Sequence, residues 1–353
     1  MSDLVQSSLA VWGSDTMEGQ KTGARCDADR DFKKTLWVRA KEVASIAFVH
    51  LHLYWMNGLD FVLFYCIVPM TRFWWAVGIA LVWLYFDRST PSKGGRRMWV
   101  LRLLLPVFRR VQSYYPVKVV GRDWRLPLEN HILDIHPHGV TMGAAAAALY
   151  GGGMHAAFPG FDFKVVVWDP ICFTLPVARE IAMGIGFVSK RECSIRHVLQ
   201  TPERGKTVVL FSGDYREVIN LRTDVFYIGL QRRGFCRVAL LEGAPLIPAI
   251  MFGENLAYRQ PIIRLTDWIY RKTGWRFSLT LGRGFFQKRW GILPLRVPHT
   301  LVVGSPVEVQ KTVEPTRTQV EALHGRYVKA VRALYKEYSP KYSTVHLPLF
   351  IAT

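Results

Sequence analysis

The chain has 353 residues, half of them hydrophobic, 12 Trp and a formal net charge of +19 at pH 7. This combination is unusual for a freely soluble enzyme and indicates a protein seated on a membrane. The five cysteines are scattered without C-x-x-C spacing, so neither a disulfide framework nor a zinc knuckle is indicated. Nucleic-acid binding is not expected, because the arginines are spread over many segments beside apolar runs.

The N-terminal part predicts a tail followed by a membrane segment. Residues 1–35 are polar and mixed in charge, which predicts a flexible cytosolic tail without a signal peptide. Residues 43–86 are nearly all apolar or aromatic and long enough for two membrane-crossing helices, with buried core as the alternative. Basic residues on both sides predict a hairpin whose two ends face the cytosol. Its second arm, 73–86, would be about 21 Å long as a helix, so it is a candidate re-entrant segment.

Residues 87–353 are predicted to form the catalytic domain. A glycine-rich basic hinge, 91–97, precedes an amphipathic segment, 98–111, that is expected to lie on the membrane. Strands are predicted at 132–135, 164–168, 186–188, 207–211, 246–251, 277–281 and 300–303, and helices at 140–150, 177–184, 192–199, 227–242 and 318–338. This alternation predicts an α/β fold with a largely parallel sheet flanked by helices, behind the N-terminal membrane hairpin.

The segment His136-Pro137-His138-Gly139 stands where a buried strand turns into a helix. A histidine there can take a proton from a hydroxyl that attacks a carbonyl. Gly139 leaves room for a ligand or backbone, and the N–H groups of the following turn are candidates for an oxyanion site. Two structural histidines at a strand end are the alternative. Asp134 is a weaker candidate, because its pleat direction opposes that of its neighbours, and it is expected to solvate the strand or bond nearby backbone.

A second polar corner follows the predicted strand 207–211 and contains Gly213, Arg216 and Glu217. Neighbouring parallel strands would bring it to the same sheet edge as the histidines. Glu217 is then placed to orient His138 or to stabilise its imidazolium form, and Arg216 to meet a phosphate. A solvated turn carboxylate is the alternative.

A third cluster contains several arginines near another predicted strand end. Such a cluster suits a polyphosphate such as that of coenzyme A, although a solvated helix surface is a serious alternative. The candidate residues are Arg232, Arg233, Gly234, Phe235 and Arg237, followed by Glu254 and Asn255.

These motifs together resemble those of the type-two diacylglycerol acyltransferase family, which includes monoacylglycerol acyltransferases and wax-ester synthases. The histidine corner is similar to its signature, and residues 232–255 are similar to its longest motif. Further similarities, at 95–97, 158–160 and 282–284, extend the resemblance over roughly 43–309. Two departures concern acceptor preference: 213–217 keeps one glycine where relatives usually have two, and Tyr114-Tyr115-Pro116 replaces Tyr-Phe-Pro.

The resemblance implies an endoplasmic reticulum enzyme that moves an acyl group from acyl-CoA to a lipid hydroxyl without a bound cofactor. Diacylglycerol is the expected acceptor and triacylglycerol the product. The termini and catalytic domain would face the cytosol, with a lipid-droplet surface and a homo-oligomer as further expectations. His138 would be the catalytic residue, His136 its partner and Glu217 the supporting acid. The other expected substrate-binding residues are Pro137, Gly139, Gly213, Arg216 and the third cluster.

Three alternatives remain at this point. A monoacylglycerol or a long-chain alcohol would serve as acceptor equally well within the same family. A metal-dependent hydrolase is possible because His-x-His at a strand end also binds metals, although His155, His197, His299 and His324 stand in poor contexts for further ligands. A membrane scaffold without catalysis would leave the polar strand ends without a purpose.

Overall fold

A computed structural model describes residues 36–50, 61–96, 99–121, 127–167, 172–221, 224–274, 279–285, 287, 290–343 and 347–353. The predicted tail, 1–35, lies outside the described residues. The chain divides into two units, with the boundary between residues 41 and 42. The sheets, core and site reported below belong to the second unit.

Helices and strands alternate along most of the described chain. The helices are α1 (Leu36–His50), α2 (Trp74–Phe86), α3 (Trp99–Tyr114), α4 (Gly143–Tyr150), α5 (Gly153–Ala157), α6 (Pro176–Gly184), α7 (Glu192–Leu199), α8 (Asp214–Ile219), α9 (Gly234–Glu242), α10 (Ile263–Thr273) and α11 (Arg317–Tyr342). The strands are β1 (Val117–Gly121), β2 (His131–His136), β3 (Asp162–Val167), β4 (Phe187–Ser189), β5 (Lys206–Leu210), β6 (Phe226–Gly229), β7 (Leu246–Phe252), β8 (His299–Val303) and β9 (Leu349–Ala352).

Seven strands form one sheet in the order β1-β8-β7-β2-β5-β3-β4. Every neighbouring pair is parallel except β7 and β8, which are antiparallel. The remaining strands, β6 and β9, pair in parallel as a separate ribbon. The predicted α/β fold with a largely parallel, helix-flanked sheet is therefore confirmed.

The core lies on both faces of this sheet. Strands β2 and β7 are buried along their whole length, as expected for central strands that helices cover on both sides. Leu133 and Ile135 face a core that includes α3 and α4, whereas Ile132 faces a core that includes α9 and α11. Because side chains alternate along a strand, Asp134 and His136 are directed to the same face as Ile132.

Two secondary-structure predictions are wrong. The predicted helix 227–242 begins only at Gly234, because the residues before it form β6 with β9, and Tyr227 stacks on Phe350 at 5.6 Å. Of the predicted strand 277–281, residues 277–278 lie outside the described residues, and the rest makes only one isolated bridge, between Leu281 and Arg259.

Helix α3 is amphipathic, as predicted, and part of its apolar side packs into the core, whereas Leu103 is 68% exposed. Phe108 and Val111 are buried in the core, and the ring of Phe108 packs against Tyr150 of α4 at 5.2 Å. Arg109 and Arg110, in contrast, are exposed.

Helix α2 is apolar on every side and contains no buried residue. Within the described residues, no helix combines the length and apolarity that crossing a bilayer requires. The hairpin stays a prediction, and part of its first arm, 51–60, lies outside the described residues.

An ion-pair network joins the end of α2 to α6. Asp87, the residue after α2, accepts hydrogen bonds from Arg179 and, at 2.8 Å, from Arg96. Arg96 also donates to Glu180 at 2.6 Å and lies over the ring of Trp83. Arg179 is 2% exposed, so its charge is buried against Asp87.

Candidate active site

The predicted polar corners meet at one edge of the sheet. Strands β2 and β5 are adjacent and parallel, with Asp134 opposite Leu210, so both chains leave the sheet side by side. The chain after β2 turns at Gly139, and the chain after β5 enters α8 and carries Glu217 into the interior, where it is fully buried. The structure therefore brings His136, His138 and Glu217 together.

His136, the last residue of β2, lies between two carboxylates. Its Nδ1 is 2.8 Å from Oε1 of Glu217, and its Nε2 is 3.0 Å from Oδ2 of Asp134. All three side chains are at most 1% exposed. Because carboxylates accept hydrogen bonds and cannot donate them, both ring nitrogens must donate, and the ring must be an imidazolium.

The charges around His136 agree with this assignment. Burial disfavours the charged ring, but the negative charges of Asp134 and Glu217 prevail and raise the pKa of His136 to about 10. Burial would also raise the pKa of Asp134, yet His136 and the hydrogen bonds from Ser212 hold it below its usual value. His136 is therefore charged at neutral pH, and in this state neither of its ring nitrogens has a lone pair with which to take a proton.

Asp134 has a larger role than the sequence predicted. Of its two expected roles, solvating the strand is wrong because Asp134 is completely buried, whereas hydrogen bonding to nearby backbone is confirmed. Oδ1 accepts a hydrogen bond from the Ser212 backbone N–H at 2.9 Å, and Oδ2 accepts from the Ser212 hydroxyl at 2.6 Å and from the Tyr327 hydroxyl at 3.2 Å. Asp134 thus ties the end of β2 to the turn after β5 and to α11.

His138 is partly exposed, and its ring hydrogen-bonds to one partner among the described residues. Nδ1 lies 2.7 Å from the carbonyl oxygen of Gly139. A carbonyl only accepts, so Nδ1 carries the proton of the neutral ring and Nε2 is left with a free lone pair. The ring of Phe211 packs edge-on against His138 at 5.6 Å. This tautomer is the one that a general base acting through Nε2 requires.

Glu217 holds the main chain of His138, where the sequence predicted an interaction with its ring. Oε2 accepts the backbone N–H of His138, and Oε1 accepts the N–H of Gly229 at 2.9 Å in addition to the His136 ring. A Cβ atom at Gly213 would collide with the Glu217 carboxylate. Gly213 therefore makes room for Glu217, which differs from the expected contact with substrate.

The predicted arginines lie mostly on the surface. Arg216 is exposed on α8. Arg233 pairs with Glu321 at 2.9 Å, and Arg237 pairs with Glu192 at 2.5 Å. Both pairs are largely solvent-exposed, and such pairs contribute little to stability.

The rest of the third cluster divides between surface and interior. Arg232 and Gly234 are exposed at the beginning of α9. Phe235 is buried, and its ring packs edge-on against Tyr327 at 5.2 Å, so it belongs to the core in this structure, and its predicted contact with substrate stays a prediction. Glu254 and Asn255 are also buried, at 3% and 8% exposure, and so do not lie on an open surface either.

Two further residues near the corner were not predicted as site residues. Pro137, a predicted substrate-binding residue, is buried within the corner. Ser212 is the first residue of the polar corner that the sequence predicts after strand 207–211, but it was given no role of its own. Tyr327 lies 193 residues from Asp134 in sequence, and no local pattern distinguishes it from other core tyrosines.

Comparisons with known proteins extend over most of the chain. Residues 65–350 match the profile of the family described as "Diacylglycerol acyltransferase". A 2-acylglycerol O-acyltransferase 1 from Bos taurus is 34% identical over 77% of this chain and 83% of its own length. The Diacylglycerol O-acyltransferase 2 from Xenopus tropicalis is 35% identical over 77% and 78%, and the 2-acylglycerol O-acyltransferase 3 from Homo sapiens is 32% identical over 86% and 92%.

The matched range contains the whole of the site. It includes β2 with the histidine corner, the turn and helix that carry Glu217, and Tyr327 on α11. The family profile matches most of the chain, and the relatives are more than 30% identical over three quarters of it, in agreement with the resemblance of the corner residues. The chain therefore belongs to the diacylglycerol acyltransferase family.

Proposed function

We propose that this protein transfers a fatty acyl group from acyl-CoA to the hydroxyl of a neutral lipid, most directly diacylglycerol, to form triacylglycerol. Relatives named for 2-acylglycerol and for diacylglycerol are similar to this chain at nearly equal identity, so a monoacylglycerol acceptor is the second candidate. A long-chain alcohol is the third.

The tautomer of His138 carries the proposal. With Nδ1 donating to Gly139, Nε2 takes the proton of the acceptor hydroxyl while the hydroxyl oxygen attacks the thioester carbonyl. The tetrahedral intermediate then collapses, the carbon–sulfur bond breaks, and the ester is released. The proton on Nε2 passes to the thiolate of CoA, which leaves as the thiol and restores the neutral ring.

The buried groups behind His138 support this cycle electrostatically. His136, Asp134 and Glu217 together carry a net charge of −1 when the ring is protonated and both acids are ionised. Glu217 bonds the backbone of His138, so this negative charge lies close to the ring and stabilises the positive charge that develops on it. The first turn of α4, which begins at Gly143, supplies N–H groups without intrahelical partners for the oxyanion.

The hydrolase alternative is less favoured by the same contacts. A metal-bound histidine needs a free lone pair on one ring nitrogen. Both nitrogens of His136 face carboxylate oxygens within 3.0 Å, so His136 has no lone pair to offer. Retention of full activity after dialysis against a strong chelator is the expected result, and loss restored by zinc would favour the hydrolase.

The exposed apolar segment supports a location on a membrane, which we propose is that of the endoplasmic reticulum. Helix α2 has 13 residues and is about 20 Å long, shorter than the roughly 30 Å hydrocarbon core. Arg72 lies over the ring of Phe73 at one end and Arg88 over Tyr85 at the other. Both ends therefore carry a cation suited to headgroups, and we place α2 within the cytosolic leaflet.

This topology is tested by cysteine labelling in sealed microsomes. Cysteines placed at Arg72 and at Arg88 in a cysteine-free background should both react with an impermeant thiol reagent added from the cytosolic side. Labelling of the Arg72 position only after the membrane is opened would indicate a complete crossing.

The activity is tested by supplying labelled acyl-CoA to membranes that contain the protein. Diacylglycerol, monoacylglycerol and fatty alcohol are offered separately, and the labelled ester is identified in each case. The matched control is His138→Ala, which should reduce ester formation by about 10²-fold to 10⁴-fold. Unchanged product from this variant would disprove the assignment of His138 as the base.

A further inference from the structure

A second buried acid and histidine lie on the other side of the His138–Gly139 turn. Oε2 of Glu254 is 3.4 Å from Nε2 of His299, and both side chains are at most 4% exposed. Glu254 follows β7 and His299 begins β8, two strands that are neighbours in the sheet. Neither residue belongs to the group that holds His136, and the proposed cycle does not use them.

The ring of His299 is fixed through its other nitrogen. Nδ1 of His299 is 2.7 Å from the carbonyl oxygen of Val297, so Nδ1 is a donor in either charge state of the ring. Nε2 makes no hydrogen bond within the described residues and faces the Glu254 carboxylate at 3.4 Å, within ion-pair distance. The oriented ring of His299 therefore bounds the Glu254 carboxylate on one side.

The Glu254 side chain touches the turn that orients the base. Gly139 has a φ of +66°, and a Cβ atom there would collide with the carboxylate, Cδ and Cγ of Glu254. Glu254 therefore fills the space beside the Gly139 α-carbon. The carbonyl of the same glycine accepts the Nδ1 proton of His138.

The tyrosine motif completes this arrangement. The ring of Tyr115 packs edge-on against His299 with centroids 4.9 Å apart, and Tyr115 is 1% exposed. A Cβ atom at Gly143 would lie 2.8 Å from the Tyr115 hydroxyl, so this side chain reaches from β8 to the start of α4. Three sequence motifs thus meet here: residues 114–116 contact His299 through Tyr115, and residues 136–139 contact residues 252–255 through Gly139 and Glu254.

We propose that Glu254, held by His299, is a positioning residue for acyl transfer. It fixes the Gly139 peptide, the Gly139 carbonyl fixes Nδ1 of His138, and Nε2 is thereby aimed at the acceptor hydroxyl. The inference rests on the proposed function and deepens it. The role depends on the shape and hydrogen bonding of Glu254 and does not involve contact with substrate.

The test compares kcat and KM of Glu254→Ala and Glu254→Gln in the full-length protein with acyl-CoA and diacylglycerol. Glu254→Ala should lower kcat by about 100-fold, the effect of a displacement of about 1 Å at a reacting group, with both KM values within about twofold. Glu254→Gln should recover kcat to within about threefold, because its amide N–H donates to Nε2 of His299 while its oxygen stays against Gly139.

Control variants separate positioning from stability. Glu242 is also a buried carboxylate, 4% exposed, but it pairs with Arg196 at the far end of α9. Glu242→Ala should lower the unfolding midpoint and leave kcat unchanged. If Glu254→Ala does not fold, His299→Phe keeps the ring against Tyr115, removes the nitrogen that faces Glu254, and should lower kcat in the same way.

Two results would overturn the inference. One is an unchanged kcat in folded Glu254→Ala or, where that variant does not fold, in His299→Phe. The other is a raised KM for either substrate that Glu254→Gln does not restore, which would indicate direct contact with substrate. Absence of any ester from the unchanged protein would instead remove the proposed function, and this inference with it.

Discussion

Replacing Glu217 by glutamine tests the charge assignment at the centre of the site. The carboxylate accepts three hydrogen bonds, from the His136 ring, the His138 backbone and the Gly229 backbone. A glutamine of the same shape has one accepting oxygen and one donating nitrogen. If the amide oxygen keeps the hydrogen bonds from the His136 ring and the Gly229 backbone, the amide N–H faces the backbone N–H of His138. The His138 N–H then has no acceptor.

The cost follows from two contributions. The rise in the pKa of His136 from 6.5 to about 10 corresponds to about 5 kcal/mol in favour of the imidazolium. If Glu217 supplies roughly half of this, its neutralisation costs about 2 kcal/mol, and the unsatisfied donor adds about 1–3 kcal/mol. The expected loss of about 3–5 kcal/mol agrees with the usual effect of breaking a buried ion pair.

The raised pKa of His136 determines how the loss of stability in Glu217→Gln should change with pH. Since the pKa of His136 is raised in the folded state, its contribution to stability is complete below pH 6.5 and is lost as the pH rises through about 10. In Glu217→Gln the pKa of His136 falls toward its ordinary value, so less of this contribution exists. The difference in unfolding free energy between the two proteins should therefore be largest near pH 6 and shrink toward pH 10.

Urea unfolding in mild detergent, followed by tryptophan fluorescence between pH 6 and 9.5, measures this difference. The matched control is Glu242→Gln, whose partner is an arginine and not a histidine, so its difference should stay constant. A difference that grows with pH for Glu217→Gln would refute the assignment of His136 as an imidazolium. In the same variant kcat should also fall, because the backbone of His138 is no longer held.

The remaining predictions concern residues around the site and the apolar helix. Gly139→Ala should lower kcat by about 100-fold and the unfolding free energy by about 1–2 kcal/mol, because φ is +66° and the new methyl group meets the buried Glu254 carboxylate. A kcat near that of the unchanged protein would contradict this. Tyr327→Phe should cost about 1 kcal/mol of unfolding free energy and change kcat less than threefold, because Asp134 keeps its other hydrogen-bond donors. A larger fall in kcat would mean that the Tyr327 hydroxyl does more than donate to Asp134. Asp87→Asn should cost about 3 kcal/mol in urea unfolding, because Arg179 remains buried without its carboxylate, and a smaller loss than 1 kcal/mol would mean that solvent reaches this pair.

The sheet and the meeting of the two corners followed from local sequence patterns. Buried strands that end in polar residues are visible in the sequence, and parallel neighbours place those ends at one edge. That reasoning brought Glu217 to the histidines across 81 residues of sequence. It did not identify which of its atoms meet the ring and which meet the backbone, because that depends on the first turn of α8.

The errors have a common physical origin in contacts between distant segments. Asp134 was compared with its immediate neighbours, whereas the partner on its own face of the strand is His136, two residues on. The residues 226–229 have an apolar pattern that suits a helix, but Leu349–Ala352 pairs with them as a strand. Nothing near His299 in sequence indicates that Glu254 and Tyr115 lie beside it.

The ion pairs of Asp87 fix the end of the apolar helix α2 to the rest of the fold. A freely jointed tether would let the catalytic corner sample every distance from the bilayer. Here the apolar helix ends in a carboxylate held by Arg96 and Arg179, and Arg179 belongs to α6, which packs against β4, the last strand of the sheet. If α2 lies in the cytosolic leaflet as proposed, its depth therefore sets the distance between the sheet and the lipid, and exchanging α2 for a foreign anchor of equal hydrophobicity should keep the protein on membranes but lower acyl transfer to the lipid acceptor.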